Sequence, residues 1–231
     1  MRQLALNFGE APSYAAADFV EGPSNRLALD WLGRPDGWTN GRLVLWGEAG
    51  CGKSHLLHIW AAARRAVIYQ GDMLVPQGPV AVDDYELAAD ETALLHVLNR
   101  AAAAGQPVLL TGRAPPARHG FALADLASRL RASLAVRIEP PGEALLAAIL
   151  TQLAASRQLS LSFQVRNYLL RHLPRTPAAL REAVARLDRV AMAGGAGISR
   201  GLAAAVVREL TDASDAEMLL NRHSPAKNDL I

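Results

Sequence analysis

Cysteine is nearly absent from this chain, with Cys51 the only one in 231 residues. One thiol cannot close an intrachain disulfide or build a cysteine-rich metal site, and the scarcity fits a reducing compartment. Aromatic side chains are few as well, 5% against a hydrophobic share of 51%, so a core must be assembled from leucine, alanine and valine. No apolar run is long enough to span a bilayer, and the first residues lack a charged-then-apolar signal pattern. The expected location is the cytoplasm, with no membrane partner. An excess of one charge sign is also missing. Lys plus Arg number 24 against 22 acids, a net charge of +2, and no dense basic run occurs, which excludes a surface built to coat nucleic acid.

What is present is an ordered alternation. Residues 1–18 read as an extended, flexible leader. A turn at Phe19-Val20-Glu21-Gly22-Pro23-Ser24-Asn25 follows, with Ser24 placed to cap a helix through Leu27, Leu29 and Leu32. Short apolar runs at 43–46, 67–69, 80–82, 108–110 and 136–138 predict five strands. Helical spacing at 54–65 and 92–104 falls between them. Continuous apolar strands separated by helices indicate a parallel sheet covered on both faces, an α/β fold. Pro140-Pro141-Gly142 marks a boundary, beyond which only helices are predicted, at 143–157, 163–173 after a Ser162 cap, 177–193 and 200–210 after Ser199. The expected organisation is a leader at 1–18, a nucleotide-binding domain at 19–140, a small helical domain at 141–211 and a tail at 212–231.

The strongest motif is Gly47-Glu48-Ala49-Gly50-Cys51-Gly52-Lys53-Ser54, set between a predicted strand and a predicted helix. Its glycines let backbone N–H groups approach phosphates in conformations that a side chain forbids. Lys53 supplies positive charge to the β- and γ-phosphates, the Ser54 hydroxyl ligates Mg²⁺, and the helix N-terminus faces the anion. Cys51 is read as a small residue tolerated at a variable position of the loop. Such a P-loop calls for an acid at the end of another core strand, and Val80-Ala81-Val82-Asp83-Asp84 provides it. Asp83 is the candidate for the Mg²⁺ shell and Asp84 for orienting or activating a water. Thr111, ending the next strand, is the candidate for touching the γ-phosphate or that water. ATP or ADP with Mg²⁺ is the expected cofactor.

These motifs have a family look. Gly50-Cys51-Gly52-Lys53-Ser54-His55-Leu56-Leu57-His58 resembles the P-loop and following helix of the DnaA-type AAA+ ATPases, and the segment from Phe19 to Ala28 resembles the stretch that packs around adenine in that family. The resemblance runs from about Phe19 to Leu210. It implies an AAA+ core followed by a helical lid, with Phe19, Val20, Asn25 and His55 joining the P-loop residues around the nucleotide. Within the family the chain looks most like the Hda branch, short relatives that switch the initiator off. Leu110-Thr111-Gly112-Arg113-Ala114-Pro115-Pro116, Asp125-Leu126-Ala127-Ser128-Arg129-Leu130 and Leu187-Asp188-Arg189 carry that likeness in order. It implies that Arg129 is an arginine finger acting in trans on a nucleotide held by DnaA. Gln3-Leu4-Ala5-Leu6-Asn7-Phe8 resembles the peptide by which this branch docks on the DNA polymerase sliding clamp. Gln3 would bond a pocket rim, with Leu4, Leu6 and Phe8 as apolar anchors.

The resemblance thus implies DnaA and the clamp as partners, DNA met only through the clamp, and leaves a homo-oligomer open. One departure weakens any expectation of strong ATPase activity by the chain itself. The lid position where the family carries a nucleotide-sensing arginine falls on Ala178, with Arg175 and Arg181 on either side. The stretch after Leu210 is too short for a helix-turn-helix unit, so the expectation is a regulator rather than an initiator. Its rivals are a stand-alone ATPase or helicase-loader-like motor, and a clamp-tethered adaptor whose nucleotide is only structural.

Overall fold

Side chains that alternate along each strand build two separate cores, one on each face of a single sheet. The computed structural model of the chain describes residues 14–71, 78–194 and 197–222. Strands β1 (Arg42–Trp46), β2 (Val67–Ile68), β3 (Val80–Val82), β4 (Val108–Gly112) and β5 (Leu134–Arg137) lie in the order β2-β3-β4-β1-β5. Every pairing is parallel. Leu43, Leu45, Ala81, Leu109 and Val136 face one side, where Ala28 and Leu32 of α1 (Arg26–Leu32) and Leu56, Leu57 and Trp60 of α2 (Lys53–Arg64) cover them. Val44, Val80, Val82, Val108 and Leu110 face the other. There Leu94, Val97 and Leu98 of α3 (Glu91–Ala103) join Leu126 and Leu130 of α4 (Ala124–Arg131). A two-residue period on strands that are apolar throughout is what a sheet buried on both faces requires.

Two carboxylates fasten the α3–α4 side. Asp90 caps α3, accepting from the N–H groups of Thr92 and Ala93 at 2.8 and 3.0 Å. Glu91, in the first turn of α3, reaches to the start of α4 and accepts from Ala122 N–H at 3.0 Å and Leu123 N–H at 2.7 Å. Orphan N–H groups at a helix start are thereby satisfied by a neighbouring helix rather than by the helix's own cap.

The chain divides between Pro140 and Pro141 into two units. The second consists of α5 (Glu143–Ser156), α6 (Phe163–His172), α7 (Pro177–Gly194) and α8 (Arg200–Arg222). Leu146, Leu150, Val165, Leu169, Leu180, Val184, Leu187, Val206 and Val207 form its core. Ser162 caps α6 by accepting from Val165 N–H at 3.3 Å, and Ser199 caps α8 by accepting from Leu202 N–H at 3.2 Å. Among the described residues no helix is long and apolar enough to cross a membrane.

Two local expectations change. The N-cap of α1 is Asn25 rather than Ser24, because the Asn25 side chain folds the preceding turn onto itself. The leader is structured before residue 18: Tyr14 stacks on His58 with ring centroids 4.0 Å apart, and a 3-10 turn covers Ala16–Asp18. The residues from Thr211 extend the last helix, which continues to Arg222.

Gly112, at the end of β4, has no room for a side chain. A methyl there would lie 2.4 Å from the Tyr85 ring. That ring cannot retreat, being 1% exposed with its hydroxyl donating to Ala114 O at 2.8 Å. Gly112→Ala should therefore destabilise the first unit by about 1–3 kcal/mol, the usual cost of overpacking, as read by urea denaturation monitored at the tryptophans.

Candidate functional site

Parallel strands place all their carboxyl ends on one side of the sheet, where open α/β sheets hold ligands. β1 leads there into residues 47–52 and then α2. Gly47 is pressed against the next strand: a Cβ on it would sit 2.4 Å from the Ile138 carbonyl oxygen. Gly52, directly before α2, has φ +105°, in the left-handed region that a side chain disfavours. The turn leaves Glu48, Ala49 and Gly50 exposed, while Gly47 and Cys51 are buried. The Lys53 side chain folds back beneath it. Its Nζ donates to the carbonyls of Gly47 and Glu48 at 2.8 and 2.9 Å and lies 3.9 Å from Cys51 Sγ. Lys53 is 6% exposed, so the ammonium is held inside the turn whose N–H groups form the cradle. Burial pushes the Cys51 thiol up, which outweighs the pull of Lys53. A thiol so held is mainly a packing group.

Asp83, Ser54 and Thr111 come together at the ends of β3, β1–α2 and β4. One oxygen, Asp83 Oδ1, accepts from Ser54 Oγ at 3.1 Å and from the Thr111 hydroxyl. Thr111 Oγ1 also accepts from the Asp84 N–H at 2.9 Å. The Thr111 side chain is completely buried and its hydroxyl is engaged in both directions. Thr111 thereby holds the turn that carries the two aspartates. Asp84 sits in the left-handed region at φ +44°, an uncommon place for a residue other than glycine and one that asparagine or aspartate tolerates. Burial, and secondly the Asp83 charge beside it, hold its carboxyl above the ordinary aspartate range despite Lys53 and Arg113 nearby.

The turn at 19–25 lies against the same end. Phe19 approaches Gly52, with 3.7 Å between its ring and the position of a Cβ there, and packs edge-on against His55 at 5.2 Å. His55 is 7% exposed, and its Nε2 is 3.0 Å from Ala15 O. The Asn25 amide is used entirely within the turn, donating to Val20 O at 3.0 Å and accepting from Gly22 N–H at 2.9 Å. Asn25 therefore shapes the loop. Phe19 is the part of this turn that lies against the cradle.

Glu86 is a supporting residue that sequence reasoning missed. Its carboxylate accepts from Arg113 N–H at 3.0 and 2.8 Å and from Ala114 N–H at 2.8 Å, fixing the loop after β4. Ordinary spacing gives no sign of it.

Arg129 belongs to the opposite end of the sheet. It lies in the last turn of α4, and its carbonyl accepts from Ser133 Oγ at 3.0 Å, directly before β5. Ser133 Oγ accepts in turn from Arg42 Nε at 3.1 Å, at the start of β1. From Arg42 to Trp46 the β1 backbone advances about 13 Å at strand rise, which separates this corner from the P-loop. The Arg129 side chain is 36% exposed, with Nε 3.3 Å from Asp125 Oδ1. That is an ion pair by distance only, since Nε makes no hydrogen bond. In the second unit Ala178 is exposed, and Arg175 forms an exposed pair with Glu143 at 3.5 Å. Gln3, Leu4, Leu6 and Phe8 lie outside the described residues.

Comparison with known proteins supports this architecture. Residues 143–198 match the family described as Hda, lid domain, a span covering α5 to α7. Domain III of the replication initiation protein DnaA from Thermotoga maritima superposes with a TM-score of 0.73 at 20% identity, over 86% of this chain and 97% of that one. AMPPCP-bound DnaA from Aquifex aeolicus gives 0.66 at 18% identity, over 80% of this chain and 68% of that one. The Holliday junction branch migration motor RuvB of Thermotoga maritima gives 0.60 at 18% identity, over 82% and 70%. The chain shares the fold of DnaA domain III, a parallel sheet flanked by helices, and carries after it a helical segment that matches the Hda lid.

The elevated Asp84 carboxyl has a measurable consequence. The folded chain binds this proton more tightly than the unfolded one, so ionising Asp84 costs stability as pH rises above the ordinary aspartate range. Asp84→Asn removes that cost and keeps a residue suited to positive φ. Without nucleotide or divalent cation it should raise the melting temperature at pH 7 by about one to three degrees. The gain should fade as pH falls below 4, near the 3.8 of an unperturbed aspartate. An equal gain at all pH values would show that the carboxyl charge is not the cause.

Proposed function

We propose that this protein is a nucleotide-binding AAA+ regulator of DnaA, acting in the cytoplasm at the replisome. In this reading residues 47–55 hold ADP or ATP, with Phe19 and Val20 against the base. Ser54 Oγ and Asp83 are both hard oxygen donors and already share a hydrogen bond. Among the described residues no cluster of three or more acidic, histidine or cysteine side chains could cage a metal. One hydroxyl and one carboxylate suit Mg²⁺, which keeps its waters and shares its shell with phosphates. In the same reading Asp84 orients or activates the attacking water. With Ala178 at the family's sensor position, turnover of the chain's own nucleotide is slow, and the nucleotide serves chiefly to hold the core in shape.

The observation that carries the reading is the placement of Arg129. A guanidinium at the amino end of the strands cannot reach a phosphate at their carboxyl end, so any phosphoryl group it serves belongs to another molecule. The chain rides the DNA-loaded sliding clamp through Gln3, Leu4, Leu6 and Phe8, meets DNA only through that clamp, and presents Arg129 to the ATP held by DnaA. The guanidinium fork then stabilises charge on the transferring phosphoryl group. The Hda-type lid supports this role over that of a stand-alone motor.

The direct test loads DnaA with labelled ATP and adds clamp, DNA and this protein. Hydrolysis should accelerate, and Arg129→Ala should return it to the unstimulated rate, since arginine fingers contribute about 10³- to 10⁵-fold. Acceleration that survives Arg129→Ala would instead favour a clamp-tethered adaptor. Deleting residues 1–8 should abolish binding to the clamp in a pull-down or by surface plasmon resonance. Undiminished binding would remove the docking peptide from the scheme.

A further inference from the structure

Beside Arg129 lies a charge that the proposed reaction does not use. Arg42, the first residue of β1, is 5% exposed. Arginines so deeply buried are normally paired with a carboxylate. Among the described residues Arg42 has no ion pair, and its side chain makes one hydrogen bond, from Nε to Ser133 Oγ. Ser133 passes that bond on to the Arg129 carbonyl. The charged neighbour that acts on Arg42 has the same sign: burial first, and Arg129 second, push its pKa below the usual guanidinium value. The sheet thus begins with a buried cation that lacks a counter-charge and lies one hydroxyl away from the residue argued to act in trans.

An apolar side chain of similar length would fill the position without the desolvation penalty. The charge is explained if it is neutralised only when an anion arrives. It also acts on Arg129 before that. The tie between Arg129 and Asp125 lacks a hydrogen bond at the buried Nε, and the Asp125 side chain is 59% exposed, so water weakens it from the Asp125 side. A buried positive charge behind Arg129 is screened far less.

We propose that Arg42 is a positioning residue for Arg129, its buried charge opposing the pull of Asp125, turning the Arg129 guanidinium outward and strengthening its attraction for the phosphoryl oxygens of a nucleotide held by a second AAA+ molecule. The inference rests on the reading of Arg129 given above. Arg42 opens the strand behind α4 and acts through its neighbour. The strap through Ser133 fixes the last turn of α4, and the charge supplies the electrostatic bias.

The test uses the full chain in the DnaA hydrolysis assay, titrated to saturation, together with thermal melts. Arg42→Met should lower the saturating stimulated rate about tenfold and move the half-saturating concentration less than about twofold, the pattern of an interaction felt mainly in the transition state. Arg42→Lys, which keeps the buried charge, should restore most of the rate. The melting temperature of Arg42→Met should equal or exceed that of the parent, since a lone buried charge has been removed. A clearly lower melting temperature would make Arg42 a structural residue and overturn the proposal. So would full stimulation by Arg42→Met, or no recovery with Arg42→Lys. If Arg129→Ala stimulates as well as the parent, the reading of Arg129 falls and takes the role of Arg42 with it. That result differs from dependence on Arg129 with Arg42→Met silent, which removes the present inference alone.

Discussion

The polarity of a parallel sheet governs how this molecule divides its labour. Because β1, β3 and β4 run the same way, the loops that follow them gather at one end. Gly47, Asp83 and Thr111 meet there from separate stretches of chain. The same polarity puts the turn before β5 and the first residue of β1 at the other end, where Arg129, Ser133 and Arg42 meet. In an antiparallel arrangement the carboxyl ends would alternate between the two edges, and neither cluster would assemble from these strands. A cradle and a guanidinium at opposite ends of one sheet form the arrangement that a chain needs if its nucleotide and its arginine serve different molecules.

Within the cradle, one carboxylate oxygen bears much of the organisation. Asp83 Oδ1 receives hydroxyls from the first turn of α2 and from β4. The Thr111 oxygen then takes up the Asp84 N–H and stabilises a backbone conformation that aspartate seldom adopts. Each of these groups would be costly to leave buried and unpaired, so the network forms as a unit. Its geometry explains why the two adjacent aspartates differ. Asp83 accepts two hydroxyl hydrogen bonds, whereas Asp84 is turned by its positive φ into a half-buried place beside a like charge, which favours its protonated form.

Much of this was legible in the sequence because it depends on local pattern. The strands showed as apolar runs, the P-loop as a glycine spacing with Lys53 and Ser54, and the caps at Ser162 and Ser199 as hydroxyls ahead of helical periods. Contacts set by tertiary placement were not legible. Thr111 at a strand end gave no sign that both sides of its hydroxyl would be occupied within the fold. Nothing in the local pattern showed that the Asn25 side chain would staple its own turn. Glu86 and Glu91 satisfy N–H groups on segments roughly 27 to 32 residues away, a separation that no helical or strand period encodes. Arg42 was the least visible, since an arginine opening a strand ordinarily reads as a solvated edge residue.

Buried arginines without counter-charges are rare because folding selects against them, so their persistence calls for a reason outside the folded state. A structural reason would require bonds that an uncharged side chain could not supply. Arg42 makes one, to a serine hydroxyl that keeps its own acceptor at Arg129 O, and that bond alone does not demand a full positive charge. A reason outside the fold requires an anion to come within range. The group that can bring one is the adjacent, half-buried arginine, whose own tie to Asp125 is weak. On the reading proposed for Arg129, a phosphate held between neighbours would offset the like charges of the two guanidiniums. A site relieved in that way on assembly would couple docking to chemistry, because the interaction gained on contact would be the one that stabilises the transferring phosphoryl group.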